Sequence, residues 1–563
     1  MNQAPSQTAR PRTYRLAELG LLILAIAVAT SAYALVGLGV EDTVPANVYG
    51  YAAWLAALGV ILHIIVWIKA KYADPVLVPI AVLLNGLGLA MIYRVDLGRD
   101  EYVGSAMTQL VWMTLGVGLA IAVIFVIRDH RWLRRYTYVS GFAALVFLML
   151  PLIPGIGKTI NGARIWIGVG PLSFQPGEIA KILLAVFFAG YLVTYKDQLV
   201  AAGPKILGIR FPRLRDFGPI VVAWVASVGV LVFERDLGTS LLFFGLFVAM
   251  LYVATSKVSW IILGLGFFSA GAVAATFLFS HVGQRVSGWL NALTAEEYNK
   301  TPGGSYQLVQ GLFGMSNGGL IGTGFGEGRP NMVPYAESDF IYASFGEEIG
   351  LAGLFVILLC YLFIFQRGIR TAQQLRDGFG TLLATGLSFT IALQVFVVVG
   401  GVTRLIPLTG LTTPFLAQGG SSLIANWMII ALLLRISDNA RRPVEEFHTG
   451  VLTITEDPQP VPAGAPAAEA DSADAEGSVP AQGTAASART VDEDAPTTNL
   501  PPADSRAFDG EAPTTNLPPA DSRAFDGEAP TTNLPPTDDR ARSRGRTPDD
   551  TDATDQRPTG GER

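Results

Sequence analysis

Long apolar runs separated by short polar segments occupy the chain from Leu19 to Leu434. The runs hold roughly 15 to 22 residues each, enough to cross the ~30 Å hydrocarbon core of a bilayer as helices. Helices are expected because lipid offers the backbone no hydrogen-bonding partners. The pattern predicts an all-α polytopic membrane protein with about twelve transmembrane helices. Their approximate cores are Leu19–Leu38, Tyr51–Ile68, Val76–Tyr93, Leu110–Ile127, Tyr138–Ile153, Ile179–Tyr195, Pro219–Phe233, Leu237–Ala254, Trp260–Phe279, Leu351–Phe365, Thr381–Gly400 and Pro414–Leu434.

The basic residues between the runs alternate from one side of the membrane to the other. If the N-terminus is inside, the even-numbered connections are rich in Lys and Arg, and the odd-numbered connections are poorer in both and often acidic, as at Glu41–Asp42. By the positive-inside rule this arrangement predicts both termini in the cytoplasm. The inside basic residues are Lys69, Lys71, Arg128, Arg131, Arg134, Arg135, Lys196, Lys205, Arg210, Arg213, Arg215, Lys257, Arg367, Arg370, Arg376, Arg435, Arg441 and Arg442.

Two of the outside connections are long, Pro154–Glu178 and residues 281–347. Long connections in compact proteins are usually functional. The second is rich in Gly and aromatic residues rather than in charge, so we expect it to fold against the membrane.

Composition separates the chain into two regimes. Of its 563 residues, 50% are hydrophobic and only 15% are charged, which is too apolar for a soluble protein of this length. Residues 443–563 are instead rich in Pro, Ala, Asp, Thr and Gly, and predict a disordered cytoplasmic tail. The predicted domains are a cytoplasmic N-terminus (1–18), two helices (19–70), a membrane core (71–442) and the tail.

The tail repeats a segment of ~17 residues that begins at Glu511, recurs from Glu528 as far as Pro536 and occurs earlier from Asp494. A flexible tether is one interpretation. The other is multivalent docking, because each copy has a Thr followed three residues later by Leu, a pattern that suits phosphothreonine-binding (FHA-type) modules. The threonines concerned are Thr497, Thr514 and Thr531.

Several other site classes find no support in the sequence. Cys360 is the single cysteine, which excludes an internal disulfide, and the four histidines show no metal-ligand spacing. The run Gly318–Gly328 is glycine-rich but does not match a phosphate-binding loop. We therefore expect no nucleotide or organic cofactor.

Charged side chains interrupt the apolar pattern, although a charge in or beside a span costs roughly 2.5 kcal/mol or more. Pro176 stands where a helix can begin, so Glu178 and Lys181 should share one helical face, after Arg164 and Trp166. Helix capping with an interfacial Trp explains this block simply. Basic groups facing outward, against the positive-inside bias, favour a site for an anionic headgroup.

Two further blocks flank predicted spans. Asp236 and Thr239 stand at the outer start of one span, where Asp236 could also be an ordinary N-terminal cap. The segment Pro407–Ser422 has two prolines and several glycines, which predicts a broken or re-entrant helix that lines a cavity.

Three acids enter the apolar run after residue 338, namely Asp339, Glu347 and Glu348. Buried carboxylates need partners. The expected partners are the outward-facing basic residues Arg164, Lys181 and Arg285.

Together these blocks resemble the SEDS family (shape, elongation, division, sporulation), whose members include RodA and FtsW. From about Val76 to Leu434 the short motifs occur in the family's order: Arg-x-Trp, Gln-Pro-x-Glu-x-x-Lys, Asp-Leu-Gly-Thr-Ser, Asp-Phe-x-x-Ala with Gly-Glu-Glu-x-Gly, and Pro-x-Thr-Gly…Pro-Phe…Gly-Gly-Ser-Ser. Family members have about ten spans, so two extra helices precede the shared core. The extra helices and the long tail resemble RodA-like proteins of actinobacteria more than FtsW.

The resemblance implies a peptidoglycan glycosyltransferase of the bacterial cytoplasmic membrane, which joins lipid II units at the outer face and works with a class B penicillin-binding protein. The reaction needs a base for an acceptor hydroxyl and cations for the leaving pyrophosphate. Arg164, Lys181 and Arg285 are candidates for the second task, which a divalent cation (Mg or Mn) could share. The other predicted substrate-binding residues are Trp166, Gln175, Glu178, Asp236, Thr239, Gln307, Glu347, Glu348 and Ser421.

One loop departs from the family pattern. The family carries an acid, usually Asp, between an Arg-x-x-x-x-Leu-[Asn/Asp]-Pro pattern and Gly-Tyr-Gln. The matching stretch here, residues 285–307, contains no Asp, and Ala292 replaces the proline. Glu296 and Glu297 are the nearest carboxylates, with Glu296 slightly favoured by its spacing. Asp339 is the next candidate for the base.

Two other functions stay open on the sequence alone. A transporter (flippase) for lipid-linked precursors would also have a broken helix and buried charges, although its sites should lie near mid-membrane. A catalytically weak scaffold for cell-wall synthases would explain the missing Asp. The sequence does not distinguish an elongation role from a division role.

Overall fold

The computed structural model describes residues 14–99, 104–160, 163–169, 172–200, 205–206, 209–210, 218–300 and 304–443. Most of the predicted tail, including Thr497, Thr514 and Thr531, lies outside these residues, so its disorder and docking stay predictions. The helices are α1 Arg15–Glu41, α2 Val48–Lys69, α3 Leu77–Leu97, α4 Ser105–Val126, α5 Thr137–Met149, α6 Gly177–Val200, α7 Gly218–Phe233, α8 Leu237–Thr255, α9 Val258–Leu278, α10 Ser280–Leu290, α11 Ala295–Tyr298, α12 Tyr306–Gly318, α13 Ile341–Gln374, α14 Gly378–Val402 and α15 Gly420–Arg441. The strands are β1 Gly157–Ile160, β2 Ala163–Val169, β3 Leu172–Phe174, β4 Lys205–Ile206 and β5 Ile209–Arg210.

Within the described ranges, eleven helices are long and apolar enough to cross a membrane. They correspond to eleven of the predicted spans, one of them the continuous stretch His130–Leu152 that contains α5, and the largely helical, polytopic fold is confirmed. The remaining predicted span, Pro219–Phe233, forms α7, which has 16 residues in the described part. Helix α13 extends past both ends of its predicted core, whereas α15 begins at Gly420 and not at the predicted Pro414.

Helices α3 and α15 form the centre of the bundle, and protein encloses most of their side chains. Asn85 of α3 accepts a hydrogen bond from Trp427 Nε1 (3.1 Å) and donates to Phe415 O (3.3 Å), so its amide is paired inside the apolar core. Helix α9 is the opposite case: Leu265 and Phe277 are exposed, and apolar side chains on a spanning helix can face lipid.

The two additional N-terminal helices pack into the bundle. The Tyr33 ring of α1 stacks between Tyr51 of α2 and Tyr93 of α3, with ring centroids 4.2 and 4.4 Å apart. Glu18 of α1 is hydrogen-bonded to His63 Nδ1 of α2 at 3.0 Å, and both side chains are buried. Aromatic stacking and a buried polar contact therefore fix both helices against the core.

Helix α13 is broken at Gly350, whose φ of 65° and ψ of −173° are open mainly to glycine. A break leaves backbone groups without helical partners. The glycine-rich run 318–328 supplies them, and its N–H groups donate to Glu347 O (3.0 Å) and Glu348 O (2.9 Å). A Cβ at Gly350 would lie 2.3 Å from Gly322 N. Six of the eleven residues of this run are glycines, because the run lies directly against a broken helix.

The bundle has two ends. At the end called here the loop face, α6, α8 and α15 begin and α10 to α12 lie, so the predicted long segment 281–347 is folded, as expected. The antiparallel sheet β1–β2–β3 forms part of the other predicted segment, 154–178. Residues 403–419, between α14 and α15, are non-helical and partly buried, in agreement with the predicted broken helix. At the opposite end, the tail face, α2, α13 and α15 end and α3 begins.

Candidate functional site

The first turn of α6 carries a buried lysine at the loop face. Glu178 and Lys181 share one helical face, as predicted. Lys181 Nζ lies 2.5 Å from Glu178 Oε2 and donates to Gln394 Oε1 at 2.9 Å. Gln394 of α14 donates in turn to Thr412 O at 2.8 Å. The expected pairing of Lys181 with the acids of residues 339–348 is therefore wrong, because Glu178 and Gln394 hold its ammonium group.

Strand β2 holds Arg164 and Trp166 next to the turn between α7 and α8. The Arg164 backbone N–H donates to Glu234 O at 3.1 Å. Its guanidinium group donates to Pro151 O (2.9 Å) and Ile153 O (3.4 Å), so backbone carbonyls are its partners and not the expected acids. Trp166 is half-buried on the same strand.

Two carboxyl groups lie at the turn that leads into α8. Asp236 accepts hydrogen bonds from Thr239 N (3.0 Å) and Thr239 Oγ1 (2.5 Å), so it does form the N-terminal cap of α8. Burial raises the pKa of Asp236 above its usual range. Burial, together with the nearby Asp236 charge, raises the pKa of Glu234 to about 8. Both groups hold a proton more tightly than ordinary carboxyl groups do.

Arg285 of α10 lies between acids from two parts of the chain. Its Nη1 donates to Leu408 O at 3.0 Å, in the non-helical segment 403–419. Burial raises the pKa of Asp339 to about 6, although the Arg285 charge opposes the rise. The same charge opposes the rise at Asp236. Of the three basic residues predicted as partners of the acids, Arg285 is therefore the one whose charge acts on Asp339.

Glu347 and Glu348 have partners that differ from the predicted ones. Glu348 Oε1 lies 2.7 Å from Nε of Arg94, a residue of α3, and both side chains are buried. Glu347 accepts hydrogen bonds from Arg329 N (3.0 Å) and Asn317 Nδ2 (3.4 Å). Pairing with Arg164, Lys181 or Arg285 is therefore wrong for these two acids. A charge directly after the apolar run that ends at Tyr93 was the signal that could have identified Arg94.

The two loop glutamates differ in their surroundings. Thr294 caps the short helix α11 by accepting from Glu297 N at 3.4 Å. The Glu297 side chain is buried and lies 3.2 Å from Lys300 Nζ. A Cβ added at Gly288 of α10 would lie 3.9 Å from Glu297 Oε1, so α11 packs beside α10. Glu296 is exposed. Among the described residues, the Glu297 side chain therefore contacts its surroundings, whereas the Glu296 side chain is directed to the exterior.

The remaining predicted residues take local positions. Gln175 lies between β3 and α6, and its carbonyl accepts from Glu178 N at 3.2 Å. Gln307 donates to Pro334 O at 2.9 Å from the first turn of α12. Ser421 is buried in the first turn of α15. Within the described ranges, no three His, Cys, Asp or Glu residues are grouped to hold a metal ion, so a divalent cation stays a prediction.

An apolar groove of about 810 Å³ lies beside the site, between α5, α6, α7 and α8. Aliphatic and aromatic side chains line it, among them Leu148, Phe187 and Phe243, and Glu234 stands among the lining residues. Because Glu234 O binds strand β2 through Arg164 N, the groove meets the polar region of the loop face. The geometry suits a ligand with a long apolar chain and a charged head.

Comparisons with known proteins agree with one another. The family model described as "Cell cycle protein" (FtsW, RodA, SpoVE) matches residues 75–442. Peptidoglycan glycosyltransferase RodA of Mycobacterium tuberculosis (strain ATCC 25618 / H37Rv) is 47% identical over 449 residues, 78% of this chain and 94% of that protein. Stage V sporulation protein E of Bacillus subtilis (strain 168) is 32% identical over 385 residues, 66% of this chain and 99% of that protein. A chain from the solved structure "Structural coordination of polymerization and crosslinking by a peptidoglycan synthase complex" is similar with a TM-score of 0.51 and 25% identity, over 66% of this chain and 99% of that chain.

Proposed function

Because the chain belongs to the FtsW/RodA/SpoVE family of cell cycle proteins, we propose that it is a peptidoglycan glycosyltransferase that polymerises lipid II into glycan strands. The loop-face site carries the proposal: Arg285 of α10 acts on Asp236 and Asp339, and an apolar groove reaches Glu234, two residues before Asp236. All of these elements lie within the matched residues 75–442.

The loop face is the outer face in this proposal, and both termini are cytoplasmic. The alternation of basic connections along the chain supports that orientation. Lipid II would then meet the site from the outer leaflet. Its isoprenoid chain fits the apolar groove between α5, α6, α7 and α8. The aliphatic and phenylalanine side chains that line most of the groove have no polar groups that would lose hydrogen bonds to water when hydrocarbon binds.

The reaction needs a base to accept the hydroxyl proton and a cation to stabilise the leaving pyrophosphate. The acceptor hydroxyl oxygen forms a bond to the donor's anomeric carbon while that carbon's bond to the pyrophosphate oxygen breaks. The hydroxyl proton passes to a carboxylate, and Arg285 stabilises the charge that develops on the pyrophosphate. Lys181, whose ammonium group is buried against Glu178 and Gln394, positions the segment 403–419 through Gln394. Arg164, on the strand beside the groove, would guide the headgroup into place.

Glu296 is the proposed base. A base must be accessible to the acceptor sugar and unoccupied by a competing cation. Glu296 is exposed on α11, whereas Glu297 is buried against Lys300. Asp339, with its raised pKa and its position near Arg285, is the alternative.

The test of the function is chain formation from fluorescent lipid II by the purified full-length protein. We expect glycan strands with the wild-type protein, and none with Lys181→Gln, because the buried ammonium group is lost. A protein that makes no strands, even with a class B penicillin-binding protein and a divalent cation added, would contradict the proposal.

The rate of polymerisation should depend on the ionisation of Asp339. Its pKa of about 6 lies above the ordinary value, so the carboxylate that faces Arg285 is present above about pH 6 and is lost as the pH falls through that value. We expect the wild-type polymerisation rate to decline over the same pH range. Asp339→Asn, which resembles the protonated form, should be weakly active, and its rate should not fall further as the pH is lowered through this range. A pH profile of the variant that matches the wild type would contradict this role.

Partners beyond lipid II form part of the proposal. A class B penicillin-binding protein would crosslink the strands, and the similar solved chain comes from a peptidoglycan synthase complex. Phosphorylated Thr497, Thr514 and Thr531 would recruit an FHA-type module. If tail peptides gain no affinity for such a module after phosphorylation, the proposed recruitment through the tail would be contradicted.

A further inference from the structure

We propose that a basic pocket at the tail face binds the phosphate headgroup of an anionic phospholipid. The pocket has a volume of about 680 Å³ and lies where α1 and α3 begin and α13 and α15 end. Its lining carries four basic side chains and two tyrosines, namely Lys71, Arg367, Arg370, Arg441, Tyr14 and Tyr72. It is separate from the loop-face site, and the inference does not depend on the glycosyltransferase function.

A buried carboxylate orients two of the guanidinium groups. Asp74 is fully buried, and its Oδ2 lies 2.7 Å from Arg367 Nε and 2.6 Å from Arg441 Nη2. Arg441 Nε also donates to Gln374 Oε1 at 3.3 Å. These contacts use one edge of each guanidinium group, and both arginines still line the pocket. The two arginines are therefore preorganised to bind an anion.

The floor of the pocket is also rigidly held. It is the turn between α2 and α3, where Tyr72 N donates to Asp438 Oδ1 (2.9 Å) and Asp74 N donates to Ser437 Oγ (3.0 Å). Arg15 of α1 donates to Lys71 O at 3.2 Å. Because α1, α15 and the turn are hydrogen-bonded together, binding requires no rearrangement of the backbone.

The positive charge of the pocket favours an anionic ligand. Four basic residues line it and no acid does. Of the two carboxylates beneath it, Asp74 is shared by Arg367 and Arg441, and Asp438 is paired with Arg442 at 2.6 Å, so the lining keeps a positive charge. Lys71 and Arg370 are exposed. The Arg370 guanidinium has neither an ion pair nor a hydrogen bond among the described residues, so it is available to a ligand.

The position of the pocket selects a lipid over a soluble anion. Ends of spanning helices lie at the depth of the phospholipid headgroups, and tyrosines are common there. Basic pockets between spanning helices bind acidic headgroups. The protein's own tail is the competing occupant: residues 444–563 hold 24 Asp and Glu against nine Arg, and they follow directly after Arg441–Pro443. The lipid is favoured because the pocket lies among helix ends.

The test measures lipid binding and not activity. The full-length protein in a non-ionic detergent is titrated with phosphatidylglycerol or with phosphatidylcholine of the same chain length, and bound lipid is counted by native mass spectrometry. We expect phosphatidylglycerol to bind more tightly. Arg370→Gln should weaken it about fivefold, since a basic group near a membrane phosphate contributes about 1 kcal/mol. Arg370→Gln keeps every described contact of the pocket, so it should fold normally.

Arg135→Gln is the matched control. It makes the same charge change at an exposed arginine on the tail face, outside the pocket, and should leave phosphatidylglycerol binding unchanged. Equal binding of the two lipids, or equal affinity in the wild type and Arg370→Gln, would overturn the proposal. So would displacement of the lipid by a millimolar excess of inorganic phosphate. Failure of lipid to bind, with Arg370-dependent cross-links between tail carboxylates and Lys71, would assign the pocket to the tail instead.

Discussion

Replacing Glu296 with Gln is expected to slow polymerisation of lipid II by at least about a hundredfold, because a positioned base contributes roughly 10²- to 10⁴-fold. The Gln side chain keeps the size of Glu and removes only the group that accepts the proton. The residue is exposed on α11, so the protein should fold and unfold as the wild type does. Initial rates with fluorescent lipid II at several concentrations would measure the effect, which should fall on kcat and leave KM nearly unchanged.

Glu297→Gln is the control, since it makes the same change at the neighbouring position. Glu297 is buried beside Lys300 within the capped turn of α11, so its loss should mainly loosen that turn. We expect activity within a few-fold of the wild type. A larger loss with Glu297→Gln than with Glu296→Gln would assign the base to Glu297. Loss with neither, together with loss in Asp339→Asn, would assign it to Asp339.

Replacing Arg94 with Met should lower the free energy of unfolding by about 3–5 kcal/mol, because it leaves the Glu348 carboxylate buried without its cation. Arg94 Nη2 also donates to Gly328 O at 2.5 Å, and Glu348 Oε2 accepts from Gly326 N at 3.2 Å. The pair therefore fixes the glycine-rich run against the broken α13. Denaturant titration of the purified protein in detergent would measure the change.

Two further variants make this prediction specific. Arg94→Met with Glu348→Leu removes both charges and should recover most of the lost stability. Arg99→Gln removes a neighbouring ion pair, in which Arg99 Nη2 lies 2.6 Å from Glu337 Oε2 but the arginine side chain is 29% exposed. That pair should contribute about 0–1 kcal/mol. If Arg94→Met were no more destabilising than Arg99→Gln, the buried pair would not hold the run in place.

Local patterns accounted for the membrane helices. A run of apolar residues long enough to cross a bilayer must be helical there, whatever it packs against, so eleven predicted spans correspond to helices. Local chemistry also identified the start of α6 at Pro176 and the cap of α8 at Asp236. In both cases the interacting groups lie within one turn of each other in the chain.

Partners distant in the chain could not be assigned in this way. The sequence predicts Arg164, Lys181 or Arg285 as the partner of Glu348, whereas the structure pairs Glu348 with Arg94. Every outward-facing basic residue is equally plausible for a carboxylate until packing fixes which helices are neighbours. The role of the run 318–328 was missed for the same reason, because the backbone contacts that require glycine come from α13.

The sequence by itself determined that this is a polytopic helical membrane protein, and its ordered motifs determined the family. These follow from hydrophobic length and from residues a few positions apart. Only the tertiary structure decided which charges meet: Lys181 with Glu178 and Gln394, Arg94 with Glu348, and Asp74 with Arg367 and Arg441. The physical reason is that a buried charge is stabilised by whatever group packing brings within about 3 Å, and that distance depends on how helices far apart in the chain are arranged.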